Sequence, residues 1–242
     1  MLPSLRFSAA RRLKKQLLTN SQGEKLPDPT EVEEGKFAKS QATRTRILQA
    51  AVECLAELGY TATSTTAVAK RAGMSRTAML YHFQSRRVLI DAVVQYVTKR
   101  RVELQDELQA KFPRNAEFRD RSVDSIWEQL QTTEFLAFCE LSMVARTDQE
   151  LAEVFQPSLA AFDKARQKMA RRLAEPEMLE SVGFDLRRDV TRFLLEGVAQ
   201  QNGITFNKAR RMKQITTLLK YLWSDDSEEL LEDIVERAKS AK

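Results

Sequence analysis

No proline falls between Pro29 and Pro113, and the 242 residues hold only 7 Gly and 6 Pro. So few breakers over so long a stretch leave helix as the main option. From Thr43 onward the apolar residues agree. Ile47, Ala51, Cys54 and Leu58 recur at helical spacing, with Leu48, Val52 and Leu55 beside them. No strand-like alternation of useful length and no internal repeat occurs. The expected fold class is all-α. Helices are expected over 43–58, 65–72, 76–82, 86–111, 123–146, 149–155, 158–175, 185–201, 207–223 and 228–239. Breaks are expected at Pro113, Pro157, Pro176, Gly183 and Gly203.

Composition removes most enzymes from consideration. There is one histidine, His82, and there are two well-separated cysteines, Cys54 and Cys139, each inside an apolar helical pattern. A two-histidine or cysteine metal site, a disulfide scaffold and most nucleophilic triads are disfavoured. No Gly-rich phosphate loop is present. The expectation is a chain with no catalytic residues, no metal and no cofactor. No apolar run approaches the roughly 20 residues that span a bilayer, so a cytoplasmic protein without a membrane partner is expected.

Charge is unevenly placed. Residues 1–42 hold 8 Lys/Arg and 5 Asp/Glu, and residues 43–87 hold 7 and 2, whereas residues 88–242 hold 24 and 27. The basic excess in the first third predicts an N-terminal module facing a polyanion. Residues 1–20 contain five basic and no acidic residues, and 21–40 are rich in Pro, Gly, Glu and Lys. Residues 1–40 are therefore expected to be a basic, flexible extension and linker, 41–87 a DNA-binding domain, and 88–242 a second helical domain.

The module itself is readable. Ser64 is placed to cap a helix over 65–72, and Ser75 to cap a short one from Arg76 to His82. Ala72-Gly73-Met74-Ser75 between them makes a helix-turn-helix, with Gly73 supplying the positive φ of a sharp turn. Met79, Leu80 and Phe83 form the buried side of the second helix. Arg76, Thr77 and Ala78 face outward at its start, the part that enters a major groove. Arg76 is suited to guanine edges, and the small neighbours permit close approach.

Residues 43–90 resemble the DNA-binding domain of the TetR family of bacterial transcriptional regulators. The resemblance is carried by Arg46-Ile47-Leu48 with Ala50-Ala51, Leu58-Gly59-Tyr60, Thr63-Ser64, Ala69 with Ala72-Gly73, Ser75, Tyr81-His82-Phe83 and Ser85-Arg86. It implies that Thr65, Thr66 and Ser75 touch phosphate, that Arg76, Thr77 and Ala78 face bases, and that Tyr81, His82 and Arg86 clamp the backbone. Arg44, just before the first helix, would add a minor-groove or phosphate contact. Leu80 stands where the family usually has Tyr, so that contact is lost or moved to Tyr81.

The same resemblance makes the remainder a ligand-binding and dimerisation domain. Trp127, Phe135, Phe138, Met143, Phe155, Phe162 and Phe193 read either as core or as the lining of an apolar pocket. Phe193, Leu194, Gly197, Val198, Ile215, Leu218, Leu219 and Leu222 are expected at a twofold interface. The final helix, with Leu230, Leu231, Ile234 and Val235 on one face, must bury a stripe by capping the domain or extending that interface. The expected function is a repressor that responds to a ligand, a small apolar or amphipathic effector, and binds a palindromic double-stranded DNA operator as a homodimer. The rival readings are a small-molecule-binding or protein-interaction module that keeps the fold without specific DNA binding, and an enzyme.

Overall fold

The computed structural model describes residues 28–30, 38–111, 118–174, 176–201 and 208–240. Among these, eleven α-helices follow one another and no strand occurs. They are α1 (Ala38–Ala62), α2 (Thr65–Arg71), α3 (Arg76–His82), α4 (Arg86–Lys111), α5 (Phe118–Gln129), α6 (Thr133–Ala145), α7 (Gln149–Leu173), α8 (Pro176–Glu180), α9 (Phe184–Gln200), α10 (Lys208–Leu222) and α11 (Glu228–Ser240), with a 3-10 turn at Asp225–Ser227 before the last. The all-α expectation holds. The basic extension expected over residues 1–40 lies outside the described residues except at 28–30 and 38–40.

The helices fall into two compact units. The first runs to Leu104 and takes in Thr132–Lys168. Its core is built where the sequence periodicity placed it. Ile47, Leu48, Ala51, Cys54 and Leu55 of α1 are buried with Val68 and Ala69 of α2, Met79 of α3, Phe83, and Leu89, Ile90, Val93 and Val97 of α4. Helix α6 adds Ala137 and Leu141, and α1 packs chiefly against it. A small apolar face on each short helix is what lets three helices cross closely here. The boundary expected at residue 87 falls in the first turn of α4. α4 continues through it, and α6 joins the same core.

The second unit comprises Gln105–Gln131 and Met169–Lys242. Helices α9 and α10 both pack on α5. Leu195 and Leu219 are fully buried, and Phe184 meets Trp223 edge-on at 5.7 Å between ring centroids. A polar network ties in the C-terminal helix. The buried Arg187 donates to the Leu222 carbonyl (2.6 Å), Ser181 Oγ (2.8 Å), Ser227 Oγ (3.3 Å) and Glu228 Oε2 (2.5 Å). Trp223 Nε1 donates to Thr191 Oγ1 at 2.9 Å.

Three expectations are corrected. The single helix over 123–146 is two, because Thr132 takes an extended conformation and its hydroxyl accepts from Phe135 N. The break expected at Pro157 is absent. Pro157 sits inside α7 on an exposed position, where the carbonyl left without its helix donor can turn to water. Pro176 does not merely end a helix but starts α8, where its missing N–H costs nothing.

Candidate nucleic-acid interface

The interface is assembled by three serine caps. Ser64 Oγ accepts from Ala67 N (3.1 Å) at the start of α2, Ser75 Oγ from Ala78 N (3.1 Å) at the start of α3, and Ser85 Oγ from Val88 N (3.2 Å) at the start of α4. Each satisfies one donor that a helix leaves open at its first turn. Between α2 and α3, Gly73 has φ 65°, and the turn closes with Met74 N donating to Ala69 O at 3.0 Å.

This geometry decides which side of α3 faces out. Met79 is fully buried, Leu80 is half-buried, and Phe83 just after the helix is fully buried. Ser75, Arg76, Thr77 and Ala78 are all exposed, and the Tyr81 ring is 81% exposed. Arg76 Nε donates to Thr65 Oγ1 at 3.1 Å, which joins the first turns of α2 and α3 into one surface. Thr66 is exposed beside it. A serine hydroxyl that accepts from its own helix still has a proton to donate outward. His82 stands edge-on to Tyr81, 5.4 Å between centroids. Burial and then the nearby Arg44 charge push the His82 pKa below its ordinary value.

Two residues expected to reach DNA turn inward. Arg44 lies 4.3 Å over the Phe83 ring and donates to the His82 carbonyl and the Pro29 carbonyl, both at 2.9 Å. Arg86 lies 4.3 Å over the Tyr60 ring and donates to Thr63 O (2.9 Å) and Tyr60 O (2.7 Å). Each guanidinium meets two backbone carbonyls together with an aromatic face, and so braces the fold. The structure thus brings together Thr65, Thr66, Ser75, Arg76, Thr77, Ala78, Tyr81 and His82, and sets Arg44 and Arg86 behind them.

Sequence reasoning also missed Glu140, whose Oε2 accepts from Tyr60 N at 3.2 Å. Nothing local to α6 signals that contact. It missed the docking of Asp28–Thr30 as well, although Asp-Pro-Thr is a recognisable turn former.

The residues expected to line a pocket are divided between the units. In the first, Phe138 lies 6.4 Å from Phe135, 5.4 Å from Phe155 and 6.5 Å from Phe162. The buried Arg101 guanidinium sits 4.1 Å from the Phe138 ring and 4.3 Å from that of Phe162. Met143 is at the surface, because it lies on the face of α6 opposite the buried Ala137 and Leu141. In the second unit Trp127 is half-buried, and Phe193 is 61% exposed. Of the residues expected at a twofold interface, Phe193, Leu194, Gly197, Val198 and Ile215 line an open groove of about 330 Å³ with Gln201 and Arg211. Leu218 is exposed and Leu222 half-buried. Leu219 is fully buried within the unit, so it is core and not interface.

A capped, outward-facing second helix on a helix-turn-helix defines a DNA-binding domain. Residues 47–93 match the family model of bacterial regulatory proteins, tetR family. An uncharacterised HTH-type transcriptional regulator of Mycobacterium bovis is 24% identical over 184 residues, 75% of this chain and 94% of that protein. The HTH-type transcriptional regulator AcrR of Shigella flexneri is 35% identical over 75 residues, 31% of this chain and 35% of AcrR. In fold, the chain is similar to a crystal structure from Rhodococcus sp. described as a TetR-family regulator, with TM-score 0.59 and 21% identity over 76% of this chain and all of that one. Residues 47–93 thus form a DNA-binding domain of the kind found in bacterial regulatory proteins of the tetR family. Among the described residues no helix is long and apolar enough to cross a membrane, and no His/Cys/Asp/Glu group is arranged to hold a metal.

Proposed function

We propose that the protein is a ligand-responsive repressor that binds a palindromic operator as a homodimer in the cytoplasm. Residues 41–87 read the operator through the major groove, and residues 88–242 carry the effector and dimer functions. The observation that carries this reading is the surface of Arg76, Thr77 and Ala78, held outward by the Ser75 cap and by Met79 beneath. Tyr81 and His82 supply phosphate contacts that fix register, and Arg76 supplies sequence choice. The exposure of Tyr81, with Leu80 packed inward, supports a phosphate contact moved by one residue. The exposed apolar side chains of α9 and α10 support pairing of two copies, whose recognition helices would then lie one DNA turn apart, about 34–36 Å. The phenylalanine cluster around Arg101 supports an effector site for a small apolar or amphipathic molecule. Its binding would oppose DNA binding by a reciprocal coupling of about 1–3 kcal/mol.

The test is selection of bound duplexes from a random pool at stated, near-physiological salt, since phosphate contacts make affinity strongly salt-dependent. The expected outcome is an enriched palindrome whose half-sites are centred about one turn apart. A pool with no enriched sequence, bound only at low salt, would overturn the proposal.

A further inference from the structure

The apolar face of α10 carries charges of opposite sign at its two ends. Arg211, Ile215, Leu218 and Leu222 recur at helical spacing and form one stripe. Leu218 is exposed, and Ile215 and Leu222 are half-buried. Arg211 and Ile215 line the groove with Phe193, Leu194, Gly197 and Val198 of α9. The exposed Arg210 and Arg211 stand at the start of the stripe, and α10 holds no acidic residue. At the other end, the 3-10 turn and the first turn of α11 present Asp225, Asp226 and Glu229, all exposed, with the exposed Leu230 beside them. About 16 Å of helix separates Arg211 from Leu222, so the two clusters are out of reach of each other within one copy. Among the described residues, none of these five charges has an ion-pair partner in its own chain.

An apolar stripe with cations at one end and anions at the other fits a copy of itself turned end for end. Across a twofold axis, residue i meets j while j meets i. Antiparallel pairing of two α10 helices sets the start of one against the end of the other. Parallel pairing would set Arg211 beside Arg211 and acid beside acid, which is unfavourable. We infer that α10 and the start of α11 pair antiparallel with the same segment of a second copy, so that Arg210 and Arg211 of one copy meet Asp226 and Glu229 of the other at both ends of the apolar stripe. The stripe supplies the burial, and the two charge clusters set register and partner choice. A chain without this charge order is rejected, because it leaves like charges facing each other. The last helix then has two duties. Leu231 packs on Gly183 inside the unit, and Leu230 extends the face offered to the second copy. The inference rests on the homodimer reading and adds the residues that decide which chain is accepted.

The experiment is a charge swap in the full chain, read by sedimentation equilibrium and native mass spectrometry. Arg210→Glu with Arg211→Glu sets acid against acid across the interface, and Asp226→Lys with Glu229→Lys sets cation against cation. Each double variant should dimerise about 10-fold or more weakly than the parent. Mixed one to one, the two should restore a dimer that is almost wholly the mixed species, since both ends again join opposite charges. All four changes in one chain reverse the order while keeping the parent's net charge. That variant should dimerise with itself as the parent does and fail to exchange with the parent. Parental dimerisation of both double variants, a mixture that stays monomeric, or free exchange of the fourfold variant with the parent overturns the clamp and leaves the homodimer reading standing. A parent that sediments as a monomer overturns the homodimer reading and the clamp with it, and assigns the face to a different protein. Should a double variant lose its helical circular dichroism, the single changes Arg211→Glu and Asp226→Lys carry the same test.

Discussion

The two units differ in where their polar groups are concentrated. The first packs a large apolar core around a few buried polar side chains, Thr63, Thr98 and Arg101 among them, and leaves Leu58 and Met143 outside, while the surface that faces outward at α3 is polar, small or basic. In the second, Arg187, Thr191, Glu196, Ser125, Gln129 and Ser227 are buried, whereas Phe193 (61%), Leu218 (51%), Leu230 and Ile234 are substantially exposed. A unit that buries hydrogen-bonded polar groups and leaves large apolar ones outside has an exterior that water does not favour. The first unit is complete as a folded body and offers a polar surface to a polyanion. The second is internally specified by its polar network and leaves apolar side chains of α9, α10 and α11 at its surface. Under the proposed function that difference is a division of labour between reading DNA and pairing copies.

The sharpest way to break that contrast is to place a charge on the exposed apolar groove. Phe193→Asp should convert a dimer to a monomer in sedimentation equilibrium and weaken binding to a selected palindrome by about 100-fold or more, since half-site pairing is lost. An unchanged mass would remove the groove from the interface. Next is Arg187→Met, which removes the charged partner of Glu228 and one of the two donors to the Leu222 carbonyl. It should destabilise the protein by about 2–4 kcal/mol in urea unfolding, and the loss should be felt first in the amide-exchange protection of α11. Protection of α11 equal to the parent would mean that Leu231 alone holds the helix.

The third comparison sets an outward arginine against an inward one. Arg76→Ala should cost about 1–3 kcal/mol per site and relax base preference at one position of each half-site. Arg86→Gln should lower the melting temperature yet leave base preference and the salt slope as in the parent, because Arg86 acts on the carbonyls of Tyr60 and Thr63 and not on phosphate. A shallower salt slope for Arg86→Gln would return it to the interface. The smallest effect concerns pH. Burial raises the Glu228 pKa, but hydrogen bonds from Ser181 and Arg187 and the Arg187 charge outweigh it, so the net shift is downward. The unfolded chain then binds the proton more readily. The stability from this pair is present above the ordinary glutamate pKa and is lost as pH falls through the lower folded value. Protection of the α11 amides, taken against the intrinsic exchange rate at each pH, should fall in that acid window, and Glu228→Gln should remove that dependence of protection on pH.

What could be read from the sequence was whatever is decided within a few residues. The serine caps at 64, 75 and 85, the Gly73 turn and the span of α4 all depend on local hydrogen bonds and periodicity, and all lie where the pattern put them. The destinations of Arg44 and Arg86 were not legible, because a guanidinium suits a phosphate and a backbone carbonyl equally well. Only the approach of His82 to Arg44, and of Tyr60 to Arg86, selects between them. The division of 123–146 was missed because Thr132 makes its cap without a glycine or proline to announce it. The aromatic positions of α6 and α7 carried the right periodicity, but their arrangement around Arg101 is a long-range fact.

Gly59 joins two constraints that belong to different helices. Its φ of 78° is one that side-chain-bearing residues rarely adopt, and a β-carbon there would stand 3.3 Å from Glu140 Oε2. Making room at 140 would not free position 59, because that backbone angle strains any side chain whatever the space. A lineage could change 140 while keeping the glycine, at the cost of freeing the Tyr60 amide that Glu140 now holds. In an evolving population the dependence between these two sites, distant in the chain, would run one way, at residues that themselves read no base.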